Sequence, residues 1–561
     1  MKLLNGIRNY MYIKLKNGIV YDPVHGINGE KRDIYIRDGL ITRKPPSNVR
    51  INKTYDMKDK IIMSGAIDIH THIGGGKVNI ARMMLPEDHE KDLISKTPLT
   101  RSGCGNAAPS TIITGYRYAE MGYTACFEPA MLPANARQAH MEMADTPIVD
   151  KGAYAMLGSD DFLLRMLAKK NDQAAISDYV GWIINATQAL GIKVVNPGGI
   201  NAFKFNQRKL ELDELNKHYG VSPRDILKAL TRAVTELGIP HPLHVHGCNL
   251  GVPGNLKTTL DTIHAVEGMR MHLTHIQFHS YGLEGDRKFS SGAAEIAEAV
   301  NKNPNISIDV GQILFGQTVT TSGDSMLQYA GHWHAHPKKW VIMDIECDAG
   351  CGVIPFKYRD ESFVNALQWC IGLEIFLLID DPWRVFLTTD HPNGAPFTSY
   401  PHLIRLLMDR SFRNDILSTI NKDAATHSVL STIDREYSLY DIATMTRAAP
   451  AKSLGLKNRG HLGSGAVADI TVYNNNKNKE KMFSKPEYVF KDGELVVHKG
   501  KIIKVKNGVT HTLRPEFDKS IEKTLGSYFK KYQTVSLENF KIDDDEIVEH
   551  GNGKIVVQPC M

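Results

Sequence analysis

Strict alternation of apolar and polar positions marks the chain from residue 12 to about 64. YIKLKNGIVYDP, KRDIYIRDGLI and TYDMKDKIIMS change face at each residue, and NG and DG pairs part them, the combination that makes strands joined by hairpin turns. From about 65 to 445 the texture changes. Short apolar runs ending in polar residues alternate with helical stretches such as ARQAHMEMADTPIVD and PRDILKALTRAVTELG. That alternation predicts βα units and a parallel sheet, and at this length a TIM-like (β/α)8 barrel is the economical closure. After GHLGSGAVADITVYN the two-residue period returns in YVFKDGELVVHKGKIIKV.

The expected architecture is therefore α/β: a barrel over 65–445 and a small β-sandwich domain built from 12–64 and 446–510. Residues 511–561 form a C-terminal extension whose run Asp543, Asp544, Asp545 and Glu546 reads as solvated surface. NNNKNKEK is read as a loop. The β pattern begins only at Met11.

Composition narrows the class. Of 561 residues 42% are apolar and 23% charged, which excludes disordered and collagen-like chains. A net charge of +5, evenly spread, predicts neither a nucleic-acid nor a membrane partner. Seven scattered cysteines suit free thiols in a reducing compartment. The N-terminal stretch has no continuous apolar segment of the secretory kind, and no run approaches the roughly 20 apolar residues of a membrane span. The expected location is the cytoplasm.

The sharpest chemical signal is AIDIHTH, which runs into GGG. On a strand Asp68, His70 and His72 share one face, and two imidazoles two residues apart at a strand's exit can chelate one metal. A polar surface strand carries the same pair, so the weight rests on residues further along the chain. NAFKFN sets Lys204 between two phenylalanines. A desolvated lysine loses its charge, and its neutral amine can take up carbon dioxide as an anionic, two-oxygen carbamate. PLHVHGCN then brings His244 and His246, MHLTHIQFHS brings His272, His275 and His279, and WRVFLTTDHPNG ends a strongly β run on Asp390. Residues at the C-terminal ends of barrel strands converge on one mouth. His279, His391 and His402 also fall near that mouth. CDAGC (Cys347, Cys351) lacks the second pair of a zinc knuckle, and GHWHAHPKKW reads as a polar loop.

In this ordered set the chain resembles the amidohydrolase superfamily. The resemblance implies a binuclear centre of two Zn²⁺ ions: His70 and His72 on one metal, carboxylated Lys204 bridging the two, His246 and His275 on the second, and Asp390 as the proton-transfer group. VHGCN looks like the family's strand end at His246, and His244 stays open as the alternative on the same strand face. The flanks IVYDPVHG…DIYIRDGLI and PAKSLGLKNRGHLGSGAVADITVYN look like the family's β segments.

ANARQAHMEMADTP (134–147), GCNLGVPGN (247–255), THIQFHSYG (274–282) and TTDHPNGAPFTSYPHLI (388–404) narrow the likeness to the A-subunit family of formylmethanofuran dehydrogenases and its counterparts in bacterial formyltransferase/hydrolase complexes. This narrower resemblance implies hydrolysis of N-formylmethanofuran to formate and methanofuran, or the reverse condensation, with other subunits of such a complex as partners. The alternatives are a cyclic-amide hydrolase of the dihydropyrimidinase type and a metal-free scaffold subunit. No redox-cofactor motif is visible, so any oxidation of formate is expected elsewhere in the complex.

Overall fold

The structure is a computed structural model that describes residues 11–561 apart from 205, 206, 208, 324–329, 343–351 and 552, and without the side chains of 203, 204, 342 and 549–551. Cys347 and Cys351 thus lie outside the described residues. Among the described residues the five cysteines form no disulfide.

Eight parallel strands enclose the barrel: β1 (Ala66–Asp68), β2 (Tyr123–Met131), β3 (Asp150–Met156), β4 (Gly191–Val195), β5 (Leu243–His246), β6 (Met271–Leu273), β7 (Ile306–Asp309) and β8 (Val385–Phe386). Each pairs in parallel with the next. A parallel bridge between Thr71 and His391, with the His72 N–H donating to the His391 carbonyl at 2.9 Å, joins the end of β8 back to the exit of β1. Helices between strands bury one apolar stripe against the sheet. In the helix Pro223–Glu236, Ser222 and Asp225 form a reciprocal capping box, and Ile226, Leu227, Leu230, Ala233 and Val234 face inward.

Both ends of the chain assemble one nine-stranded sheet, in which Lys60–Ser64 pairs antiparallel with Ile470–Asn474. Its core holds Leu15, Val20, Ile36, Ile62, Ile470, Val472 and Phe490. A buried ion cluster fastens this sheet to the barrel: Lys491 Nζ lies 3.0 Å from Asp150 Oδ1 on β3 and 3.1 Å from Asp469 Oδ2. Breaking one partner of such a cluster leaves the others buried and uncompensated, so its geometry constrains how the two parts meet.

Beyond residue 510 the chain is more than an appendage. Thr510–Leu513 runs parallel beside β3 through Thr510 and Lys151, and Ile555–Gln558 pairs with it in turn. Trp182 packs against Phe529 and Phe540, with ring centres 6.1 and 5.6 Å away. The acidic run lies at the surface, with Asp543, Asp544 and Asp545 exposed, and its charges are partly paired there. Asp544 is bound by Arg514 and Glu546 by Arg137, because the helix Asp544–Gly551 lies against these arginines.

Candidate metal centre

Two features of the first strand place its histidines at the mouth. The strand proper stops at Asp68, so His70 and His72 fall in the turn just past it, and Gly74 to Gly76 then free the backbone to start a helix. Asp68 anchors this turn from behind. It accepts from the His70 N–H at 3.1 Å and from the hydroxyls of Tyr118 and Tyr400, and burial pushes its carboxyl up to about 6.

His70 Nε2 lies 2.9 Å from Asp390 Oδ1, and His72 Nε2 lies 3.4 Å from the same oxygen. His70, His275 and Asp390, all buried, bring one ligand atom each within 4.8 Å of one another. His275 Nδ1 is buried with no hydrogen-bond partner. The His246 ring stands 4.6 Å from the His275 ring, edge to face. Histidine nitrogens and a carboxylate that converge in a buried pocket, one nitrogen without a hydrogen-bond partner among the described residues, fit a divalent cation better than a packed polar core. Among the sequence candidates, then, His70, His72, His246, His275 and Asp390 meet at one end of the barrel.

Supporting groups complete the ring. Glu128 at the end of β2 accepts from His72 Nδ1 at 3.0 Å and from the backbone N–H groups of Ile73 and Gly74. Despite burial its pKa stays below the ordinary value, chiefly through the His72 ring. Asp309 on β7 accepts from His272 Nε2 (3.0 Å), the Thr388 hydroxyl (2.6 Å) and the His275 N–H (3.0 Å). His275 sits in the left-handed region at φ 36°, and this hydrogen bond helps hold it there. Glu128, bonded to the His72 ring, fixes that ring's tautomer and orientation, whereas Asp309 holds the His275 backbone. Neither Glu128 nor Asp309 stands out in the sequence, since a lone acid in an apolar run has no spacing signature.

The sequence puts Lys204 on a strand, but Pro197-Gly198-Gly199 ends β4 and the helix Gly199–Lys204 follows. Its side chain lies outside the described residues. Two buried lysines stand on barrel strands, Lys151 near the start of β3 and Lys193 in the middle of β4, and Lys193 is the one level with the histidines. In register with His244 on β5, and through it with His272 on β6, it belongs to a layer that fills the barrel interior. Burial pushes its amine down to about 7 although Asp390 and Asp309 pull the other way. The signal available in GIKVV was a charged residue flanked on both sides by β-branched ones, the pattern of a strand buried on both faces.

His244 lies deeper than His246. Its Nε2 is 2.9 Å from His70 Nδ1 and its Nδ1 is 2.9 Å from His241 Nε2, so both nitrogens already face other rings. His279 falls in a short 3-10 turn (Ile276–His279) with its ring stacked 5.5 Å from that of His275. His391 is buried beside Asp390. His402 Nδ1 is 3.3 Å from Glu480, where its helix Tyr400–Met408 packs against the helix Lys479–Ser484.

So many buried imidazoles make the chain acid-sensitive. His140, His241 and His511 all have pKa values depressed by burial, His140 to about 4. Unfolding lets each bind a proton that the folded chain refuses. The His140 share of stability is therefore complete above pH 6.5 and falls as pH drops toward about 4, by about 1.4 kcal/mol per pH unit, and His241 and His511 act in the same direction. Asp68 opposes one of them, since its raised pKa favours the folded chain between 3.8 and about 6. Denaturant midpoints at pH 7 and pH 5 check this; equal midpoints would contradict it.

The amidohydrolase family model matches residues 53–503. Protein FwdA of Methanocaldococcus jannaschii is 41% identical over 554 residues, covering 95% of this chain and 96% of that one. The A subunit of the formyltransferase/hydrolase complex Fhc of Methylorubrum extorquens is 41% identical over 545 residues, covering 96% and 98%. The solved structure of the FhcABCD complex from that organism, in complex with methylofuran, superposes with a TM-score of 0.91 at 39% identity, covering 98% of this chain and 100% of that one. With a matched segment spanning most of its length and these two relatives near-complete in overlap, the chain belongs to the amidohydrolase family.

Proposed function

We propose that the chain is the metal-dependent hydrolase subunit of a multi-subunit one-carbon complex, interconverting an N-formylated aminomethylfuran such as N-formylmethanofuran with formate and the free amine. The observation that carries this reading is the convergence of His70, His275 and Asp390 at the barrel mouth, in a chain 41% identical to FwdA and to the A subunit of Fhc. Its partners are then the other subunits of a formylmethanofuran dehydrogenase or formyltransferase/hydrolase complex.

The donor set supports two divalent ions, and zinc suits it. His70 and His72 would hold one, His246 and His275 the other, with Asp390 at the first. In place of Lys204 we assign the bridging role to Lys193, whose uncharged amine can bond to the carbon of carbon dioxide and lose one proton to give a carbamate. Bound there, the ions would supply Lewis-acid polarisation of the formyl oxygen and a water acidified to a pKa of about 7.

The chain's own groups do the rest. Asn393 Nδ2 donates to Asp390 Oδ1 at 2.9 Å and fixes the plane of the carboxylate. Asp390 accepts the proton of the attacking water and returns it to the amine nitrogen as the C–N bond breaks. Glu128 and Asp309 keep His72 and His275 oriented. The helix Gly76–Met84 and the antiparallel pair Gly316–Gly323 and Gly352–Tyr358 pack Ala81, Leu85, Val319 and Val353 into one apolar cluster with Leu132, Met156 and Val195.

The test is formate release from N-formylmethanofuran by the purified complex. Activity that a chelator removes and zinc restores is expected, with no turnover of hydantoin or dihydrouracil. Turnover of the cyclic amides instead would favour a dihydropyrimidinase-like enzyme. A complex holding less than about a tenth of an ion per chain, with no turnover, would favour a scaffold role.

A further inference from the structure

The barrel interior below the mouth contains a train of imidazoles. His70 Nδ1 meets His244 Nε2 at 2.9 Å, His244 Nδ1 meets His241 Nε2 at 2.9 Å, and His241 Nδ1 meets Ser453 Oγ at 3.0 Å. All three rings are fully buried. Tyr154 stacks on His241 at 4.9 Å and leans on His244 at 5.0 Å, and the His272 ring lies 4.8 Å from His244, so the rings cannot swing out of line. Ser453 is only half-buried, which puts the far end of the train near the floor of the barrel. Large polar side chains are an expensive filling for a space that branched apolar residues usually occupy.

We propose that His244 and His241 are positioning residues which, by handing hydrogen bonds one way down the barrel, hold His70 in the tautomer that turns the Nε2 lone pair to the mouth. This rests on the assignment of His70 as a metal ligand. A neutral imidazole has one donor and one acceptor nitrogen, and each contact in the train has room for one hydrogen. With a cation on His70 Nε2, the hydrogen must sit on Nδ1 and point at His244 Nε2. That nitrogen is then a lone pair, so the His244 hydrogen sits on Nδ1 and points at His241 Nε2. His241 in turn donates from Nδ1 to Ser453 Oγ, whose hydroxyl can turn to accept. Two other acceptors compete for the His70 hydrogen: the Thr274 hydroxyl touches Nδ1, and Asp309 Oδ2 stands 3.6 Å away. Neither extends the chain, and the Asp309 oxygen is already bonded to His272.

The two histidines of LHVH thus divide their roles. His246 faces the mouth, and His244, one strand period below, orients the ligand of a different strand.

The test is zinc affinity of the full chain, measured by competition with a chromophoric chelator, alongside circular dichroism to confirm folding. His244→Phe keeps the ring size and removes both nitrogens, and is expected to weaken zinc binding about 10- to 100-fold. His244→Gln, which restores an acceptor toward His70, should recover most of that loss. His241→Phe should weaken binding less, and the double variant should be no worse than His244→Phe alone, since the train is already cut. A folded His244→Phe chain with wild-type affinity overturns the relay alone, as does a Gln variant no better than Phe. Should His244→Phe not fold, wild-type affinity in His241→Phe overturns it equally. Wild-type chain that takes up no zinc overturns the metal-centre assignment and the relay with it.

Discussion

Lys193→Met is expected to give a folded chain that has lost the metal pair and, with it, formamide hydrolysis by about 10³-fold or more. The side chain is fully enclosed on β4, so no water or neighbouring acid can stand in for it. Losing the ions removes several kcal/mol of charge stabilisation in the transition state, and each 1.4 kcal/mol is about tenfold in rate. Folding should not suffer. Methionine fills nearly the same volume without an amine to desolvate, so the thermal midpoint should hold or rise while activity disappears. Metal content by elemental analysis and kcat by formate release provide the check. Lys204→Ala is the matched control, expected to keep both. The opposite pattern, with Lys204→Ala dead and Lys193→Met active, would return the bridging role to Lys204.

Asp390→Asn should separate metal binding from turnover. Asparagine is nearly isosteric and can keep the contact with Asn393, so the mouth retains its shape. What is lost is a carboxylate held well below its usual pKa by the surrounding histidines, chiefly His275 and His70. An amide cannot take a proton from water and pass it to a departing amine. The expected loss is about 10²- to 10⁴-fold in kcat, with KM changed little and metal retained at reduced affinity. A kcat within tenfold of wild type would move the proton-transfer role to another group.

These two variants differ in how readable their residues were. Asp390 ends the long β run WRVFLTT and is followed by a Pro-Asn-Gly break, so its place at a strand exit could be inferred locally. His70 and His72 were legible from their place at the exit of an apolar run, although they fall in the turn past β1 rather than on the strand itself. The lysine was different. Lys193 and Lys204 are both flanked by apolar residues, eleven positions apart, and local spacing does not say which one enters the barrel. Strand register sets Lys193 level with His244 and His272 inside the barrel, while Pro197 and the glycines after it turn the chain into the helix Gly199–Lys204.

The hydrophobic periods alone determined the architecture, because each strand and helix must hide one face and the order of the elements admits few closures. They also determined that histidines and an aspartate stand at strand ends. Only the folded barrel decided which groups share a charge or a hydrogen. Glu128 serves His72, Asp309 serves His275, and His244 turns inward to His70, although dozens of residues separate each pair in the chain. Coulombic and hydrogen-bond terms act over a few ångströms in space, and a linear order of residues has no record of those distances.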